Sequence, residues 1–304
     1  MTNLQKFAFI KMPQERHLFF LKKEVSSINI LCNGKKVNSK DLSGLKKIRG
    51  INPIRIKSKD RFLKRVEREL VDKNKVVVMG GDGTISLVVK KVIEANASLG
   101  IIPSGRGNDF ASFLGIPDDL RKAVEVAKKG ELKRVSLGEV GGRYFCNSFG
   151  IGFDALVVGL ANRYKTGYRL TTAKTMLGFE SFPLSVRAIL ENGETVFIED
   201  DLLMLVFING ETEGGGLRLG KKKDPGESFL TMVAIREIPK PLRPLLFSLF
   251  LIPFLKSFPK VERFKIKRAT VSTSNNIRKH IDGDVFHGSI KKVNLSRKEL
   301  TVIT

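Results

Sequence analysis

Tryptophan is absent from the 304 residues, histidine occurs three times and cysteine twice. Cys32 and Cys146 stand far apart with no CxxC spacing, which argues against a disulfide framework and against thiolate metal or redox chemistry. They read as two small half-buried side chains in a reducing cytoplasm. No apolar run approaches the roughly 18 residues needed to cross a bilayer, and residues 1–10 lack the basic, apolar, small-residue order of a signal peptide. Acidic residues are scarce too: 31 Asp+Glu face 54 Lys+Arg, a formal net charge of +23. Such an excess draws polyanions, whether nucleotide, nucleic acid or anionic lipid headgroups. A heat-adapted charged surface explains the same count, because the cations are scattered. No arginine-rich tail or aromatic-spaced basic motif is present, so a nucleic-acid partner is not expected.

What is present suffices for two cores. The hydrophobic share is 42% at a mean hydropathy of −0.06, and the length is comfortable for two domains. Up to about residue 130, short apolar runs alternate with helical stretches. Residues 54–56 precede a charged helix over 59–72, with Ser58 as N-cap. The unbroken apolar run 76–79 reads as a strand buried on both faces of a parallel sheet. Ile85, Val88, Val89, Val92 and Ile93 follow at helical spacing. Residues 99–102 form the next buried strand, and 119–129 a helix ending at Gly130. Strand, turn, helix, strand is the rhythm of an open α/β sheet.

From Glu131 onward the rhythm changes to extended segments and turns. Residues 135–140 and 144–149 flank Gly141-Gly142, and 186–190 and 195–198 flank Asn192-Gly193, two hairpin signals. Runs at 202–208, 229–235, 264–272 and 291–295 add further strands. The expected architecture is α/β plus β: an open α/β nucleotide-binding domain over 1–130 and an antiparallel β-sandwich domain over 131–304. The active site is expected in the cleft between them, with the last strand able to return to the first domain.

The strongest local signal is Gly80-Gly81-Asp82-Gly83-Thr84, between a buried strand and an amphipathic helix. Glycines let the backbone approach a ligand closely, and the following helix turns free N–H groups toward phosphate oxygens. Asp82 would repel phosphate unless it binds Mg²⁺ or accepts a proton, which suggests catalysis. A tight strand-to-helix turn with a polar cap is the plainer reading. A second loop, Pro103-Ser104-Gly105-Arg106-Gly107-Asn108-Asp109-Phe110-Ala111, follows the next strand. Both loops leave the carboxyl ends of adjacent strands, where open α/β sheets bind ligands. Arg106 can pair with phosphate, and Asn108 and Asp109 suit either a sugar hydroxyl or the loop itself.

Together these loops resemble the catalytic domain of the diacylglycerol kinase family, which carries GGDGT and then PxGTxNDFA. The likeness continues through Phe145-Cys146-Asn147-Ser148-Phe149-Gly150-Ile151-Gly152-Phe153-Asp154-Ala155, similar to FxNxxGxGFDA, and through Asn209 with Gly214-Gly215-Gly216-Leu217. It ends at Ile281-Asp282-Gly283-Asp284, similar to the family's DGE or DGD. Nicotinamide dinucleotide kinases share the first loop, but the later motifs favour the lipid branch. The resemblance implies an ATP- and Mg²⁺-dependent kinase of a diacylglycerol-like lipid, peripheral to an anionic membrane surface, with a homodimer left open. ATP would contact Ser58, Gly80, Gly81, Asp82, Gly83, Thr84, Gly105, Arg106, Gly107 and Asn108. Asp82, Asp282 and Asp284 would be catalytic, with Asp284 at the position assigned as base in some bacterial members. Asp154 would lie near the lipid headgroup. The loop carrying Lys221, Asp224 and Gly226 resembles one that holds a structural Mg²⁺.

Four departures stand out. With residues 7–12 taken as the first strand, the family's Asn-Pro-x-Ser-Gly loop is missing, since Pro13-Gln14-Glu15-Arg16 follows. Arg106 replaces a small hydroxyl residue, Ser136 stands where an Asp is common, and Asp224-Pro225-Gly226 is one residue longer than Asp-Gly. The rival functions are a nucleotide-binding regulatory protein without turnover and a kinase of a soluble polyol or nucleotide. Residues 245–255, almost wholly apolar, read as a buried helix or as a membrane-contacting element.

Overall fold

The structure, a computed structural model, describes residues 27–34, 37–164, 168–212, 219–244 and 260–304. Its first half runs β1 (Ile28–Asn33), α1 (Ser39–Lys46), β2 (Ile51–Ile56), α2 (Lys59–Lys73), β3 (Lys75–Gly80), α3 (Asp82–Glu94), β4 (Ser98–Pro103), α4 (Asp109–Phe113) and α5 (Leu120–Lys129). Local chemistry sets these bounds. Asn38, Ser58 and Asp119 accept the amides of Asp41, Arg61 and Lys122 as N-caps, and α2 stops at Asn74 in the left-handed region at φ 49°. The apolar run of β3 is buried almost throughout because α2 and α3 cover the sheet. β2, β1, β3 and β4 lie side by side and parallel in that order. The connection from β1 steps one way and the return from β2 the other, so the strand order switches between β1 and β3.

The second half runs β5 (Leu132–Val140), β6 (Arg143–Phe145), β7 (Ser148–Gly152), α6 (Phe153–Tyr164), α7 (Tyr168–Thr175), β8 (Phe182–Leu190), β9 (Thr195–Ile208), β10 (Leu230–Arg236), β11 (Val261–Thr273), β12 (Lys279–Ile281), β13 (Asp284–Phe286) and β14 (Lys292–Ile303). It is antiparallel, as its alternation predicts. Its strands are not two separate sheets, however: among the described residues all fourteen strands form one hydrogen-bonded sheet. β8 bridges β9 and β11, whose other portions are joined through β10, and the curled surface encloses its own apolar core. β14 couples the halves. Its last residues, Thr301 to Ile303, pair in parallel with Ser98 to Gly100 of β4 and antiparallel with β5.

Three expected strands come out differently. The run 144–149 divides into β6 and β7, because the amides of Cys146, Asn147 and Ser148 turn to the Asp282 carboxylate instead of a ladder. The runs 195–198 and 202–208 fuse into β9; the acidic residues between them stay extended, with Asp200 paired to Arg236. The sheet's first strand is β1, while residues 1–26 and 245–255 lie outside the described residues. Cys32 and Cys146 are fully buried rather than half-buried. Burial raises both thiols, Cys32 to about 11.

Candidate active site

The two glycine loops meet at the carboxyl ends of β3 and β4, where Gly80 pairs with Pro103. Each loop needs glycine for a stated reason. A Cβ on Gly80 would come within 2.4 Å of Thr84 Oγ1, and one on Gly105 would come within 2.6 Å of the Gly81 Cα. The second loop therefore packs directly behind the first. Asn108, at φ 53°, holds it there: its Oδ1 accepts the Gly105 amide at 2.8 Å. Asp82 bolts the loops together, its carboxylate accepting the amides of Phe110 at 3.1 Å and Asp109 at 3.4 Å. Gly83 faces open space.

That space is a cavity of about 480 Å³ between the halves, within the usual range for ligand sites. Asn33, Lys57, Lys59, Gly83, Ser86 and Lys90 wall it from the first half; Gly142, Arg143, Tyr144 and Asp284 wall it from the second. Four cations thus confront one carboxylate. Ser58 serves α2 as its N-cap, and it is the flanking Lys57 and Lys59 that reach the cavity. Gly105, Arg106 and Gly107 stand exposed at the surface of the backing loop.

The second wall depends on a two-residue turn. Asp282 and Gly283, at φ 45° and 91°, link β12 to β13 in the manner of a type I′ turn and present Asp284 to the cavity. The Asp282 carboxylate is occupied, receiving Cys146 N and Asn147 N at 2.8 Å and Ser148 N at 3.0 Å. Burial raises its pKa above the ordinary carboxylate value; the three amides pull the other way and the charge of Asp82 adds to the rise. Behind the turn, His280 Nδ1 accepts the Gly283 amide at 3.4 Å, which leaves the ring proton on Nε2 facing Asp154. Asn162 of α6 donates to the Gly283 carbonyl at 2.9 Å. Asp154 and His280 are both fully buried. Asp154, expected near the headgroup, thus stands behind the turn and hydrogen-bonds to His280. A Cβ on Gly150 would strike both side chains of this pair, which explains two letters of the glycine-rich motif.

The loop with Lys221, Asp224 and Gly226 also carries the buried ammonium of Lys223. Lys223, 3% exposed, donates to Asn209 Oδ1 at 2.8 Å and the Phe229 carbonyl at 2.7 Å. Asp224 and Glu227 close a turn upon themselves. Residues 214–217 lie outside the described residues.

Sequence reasoning missed several of these groups. Asn33 ends β1, at the place where the resemblance puts an Asn, and its Nδ2 donates to Thr84 Oγ1 at 3.1 Å across the switch point. The apolar run 30–32 closed by Asn33-Gly34 was the available signal. Lys57 and Lys59 also left a trace, since cations at a helix N-terminus oppose its dipole and call for another reason to be there. Arg143 and His280 left none.

Crossed loops at a strand-order switch thus face a carboxylate on a second, antiparallel half. The same fold occurs in a crystal structure of a putative diacylglycerol kinase from Bacillus anthracis, with a TM-score of 0.75 at 19% identity over 91% of this chain and 96% of that one. Residues 42–140 match the diacylglycerol kinase catalytic domain. Among curated relatives, a diacylglycerol kinase of Staphylococcus saprophyticus is 29% identical over 220 residues, 69% of this chain and 70% of the relative. A probable YegS-like lipid kinase of Chromohalobacter salexigens is 26% identical over 71% and 72%. A diacylglycerol kinase of Mycobacterium tuberculosis is 32% identical over 51% and 52%. The resemblance drawn from the motifs holds over residues 42–140, the segment that matches the diacylglycerol kinase catalytic domain.

Proposed function

We propose that the protein is an ATP-dependent lipid kinase that moves the γ-phosphate to a hydroxyl of a diacylglycerol-like lipid at the cytoplasmic membrane surface. The observation that carries this reading is the single cavity with Gly83 of the first loop on one wall and Asp284 on the other. Residues 1–130 would supply the nucleotide side and 131–304 the lipid side. Amides of Gly80 to Thr84 and the charges of Lys57, Lys59 and Lys90 would receive the phosphates, with Asn33 fixing the loop through Thr84. Asp284 accepts the proton of the lipid hydroxyl as its oxygen bonds to the γ-phosphorus; the bond to the β-phosphate oxygen breaks and ADP leaves. Asp282, Asn162, His280 and Asp154 hold Asp284 in place without touching the reactants.

Among the described residues no three His, Cys, Asp or Glu form a metal cage. A Mg²⁺ ion carried in with the nucleotide needs no such cage, since it binds through one or two carboxylates and substrate phosphates. Asp82 would hold it, and the ion would neutralise phosphate charge. At the 220–229 turn the residues do not fit a structural Mg²⁺. The Lys223 ammonium already occupies carbonyl oxygens there, and a divalent ion in the same loop would repel it.

The test is labelled ATP with a panel of lipids in mixed micelles. Label extracted with a lipid and lost in Asp82→Asn supports the reading; label found only in water-soluble products overturns it.

A further inference from the structure

The sheet outside the cleft carries a second basic feature. Registers place Arg187, Thr270 and Lys292 in one row across β8, β11 and β14, and Ile189, Arg268 and Asn294 in the next. Val186, Ala188, Ala269, Val271 and Val293, which alternate with them, point into the core, so the two rows face outward together. They line a shallow concavity of about 400 Å³. Arg187, Arg268 and Lys292 are exposed, and among the described residues none of the three stands in an ion pair. Three neighbouring cations outside any of these ion pairs repel one another, with Glu139 beyond Asn294 as the acid that shares their rows, and an anion from outside relieves them.

Two further facts define that anion's carrier. Phe197 lies directly opposite Arg187 and is 61% exposed. An aromatic ring beside cations on an open sheet face matches the boundary between headgroups and acyl chains. The face is also continuous with the cleft. Asn294 pairs with Glu139 and Glu139 with Tyr144, which lines the cavity; Val293 pairs with Val140, so Lys292 borders the hairpin tip whose Gly142 and Arg143 form the cleft wall. Beyond Arg187 the sheet turns acidic, where Glu199, Asp200 and Asp201 gather beside Ser185 and Thr273.

We infer that the outward face of β8, β11 and β14 is the docking surface for an anionic bilayer, with Arg187, Arg268 and Lys292 on lipid phosphates and Phe197 in the headgroup layer. The inference rests on the lipid-kinase reading for its purpose, and it names the surface from which the lipid is drawn. The acidic cluster beyond Arg187, repelled by the same headgroups, bounds the surface on that side.

The experiment compares the full chain with the triple variant Arg187→Ser, Arg268→Ser, Lys292→Ser on phosphatidylglycerol and phosphatidylcholine vesicles, with the melting temperature of each confirming the fold. Each basic residue near an anionic surface contributes roughly 1 kcal/mol, so the variant should bind phosphatidylglycerol vesicles on the order of 100-fold more weakly. Wild-type binding should weaken as salt rises. Equal partition of the two proteins, or equal wild-type binding to both vesicle types, overturns the surface. Loss in the variant of retention on DNA, with no vesicle binding by the wild type, assigns the face to nucleic acid and overturns it too. Phosphoryl transfer to detergent-dispersed diacylglycerol should be the same in both proteins. Its absence from both refutes the kinase reading and leaves the vesicle comparison standing.

Discussion

The carboxylate of Asp282 accepts three backbone amides, whereas that of Asp284 opens on the cavity. Substitution by asparagine should therefore separate them. Asp284→Asn should melt within about a degree of the wild type and bind an ATP analogue as before, while transfer to lipid falls by about 10²- to 10⁴-fold. In Asp282→Asn an NH₂ group must face one of the three amide donors in a buried site, at a cost of about 1–3 kcal/mol. Its melting temperature should drop by several degrees. Calorimetry with analogue titration checks both, and a stable, inactive Asp282→Asn would return Asp282 to the chemistry. The motif announces two acidic residues; it conceals their division of labour, because Cys146, whose amide Asp282 receives, lies 136 positions away. The Asp-Gly pair could have been read as a hairpin turn from its residue types alone.

The contact between Gly81 and Gly105 makes the two loops a single element. Gly105→Ala would drive a methyl group to within 2.6 Å of the Gly81 Cα and force the loops apart. Nucleotide affinity should fall about 10-fold or more, with little loss of stability because Gly105 is exposed; unchanged binding by titration would show that the loops move independently. The 220–229 loop makes a pH-dependent prediction. Burial brings Lys223 down to about 8, with Glu227 and Glu191 opposing the shift. Between about pH 8 and the ordinary lysine value near 10.4, the unfolded chain holds a proton that the native state has released. Unfolding free energy should then rise with pH across that window, by at most about 3 kcal/mol. Urea unfolding at pH 8 and pH 10 should show the rise in the wild type and lose it in Lys223→Met. Chelation should leave the stability of both unchanged. Helices and buried strands of the first half were legible because period, caps and glycine punctuation agree there. The span of β9 was not, since Glu199, Asp200 and Asp201 look like a turn and stay extended only through partners such as Arg236.

At the scale of the molecule, the order of motifs suggested an α/β part followed by a β part, but gave no sign that one sheet runs through the described strands of both. Nothing in the run 291–295 indicates that the same strand continues to Ile303 and lies parallel to β4, because parallel partners leave no local turn to read. β14 pairs with β4, β5 and β11. The halves should consequently unfold in a single calorimetric transition; two resolved transitions would mean that the shared strand does not couple them.

That strand also bears on how the protein is made. β4 keeps one edge bare until its neighbour arrives, and Ser98 waits for Thr301. On the ribosome the apolar ladder 99–102 is therefore an unguarded template throughout synthesis of the second half, open to pairing with another nascent chain. Fragments ending before β14 should aggregate through this edge. A circular permutant carrying β14 beside β4 in sequence should refold faster, since the slowest closure becomes local.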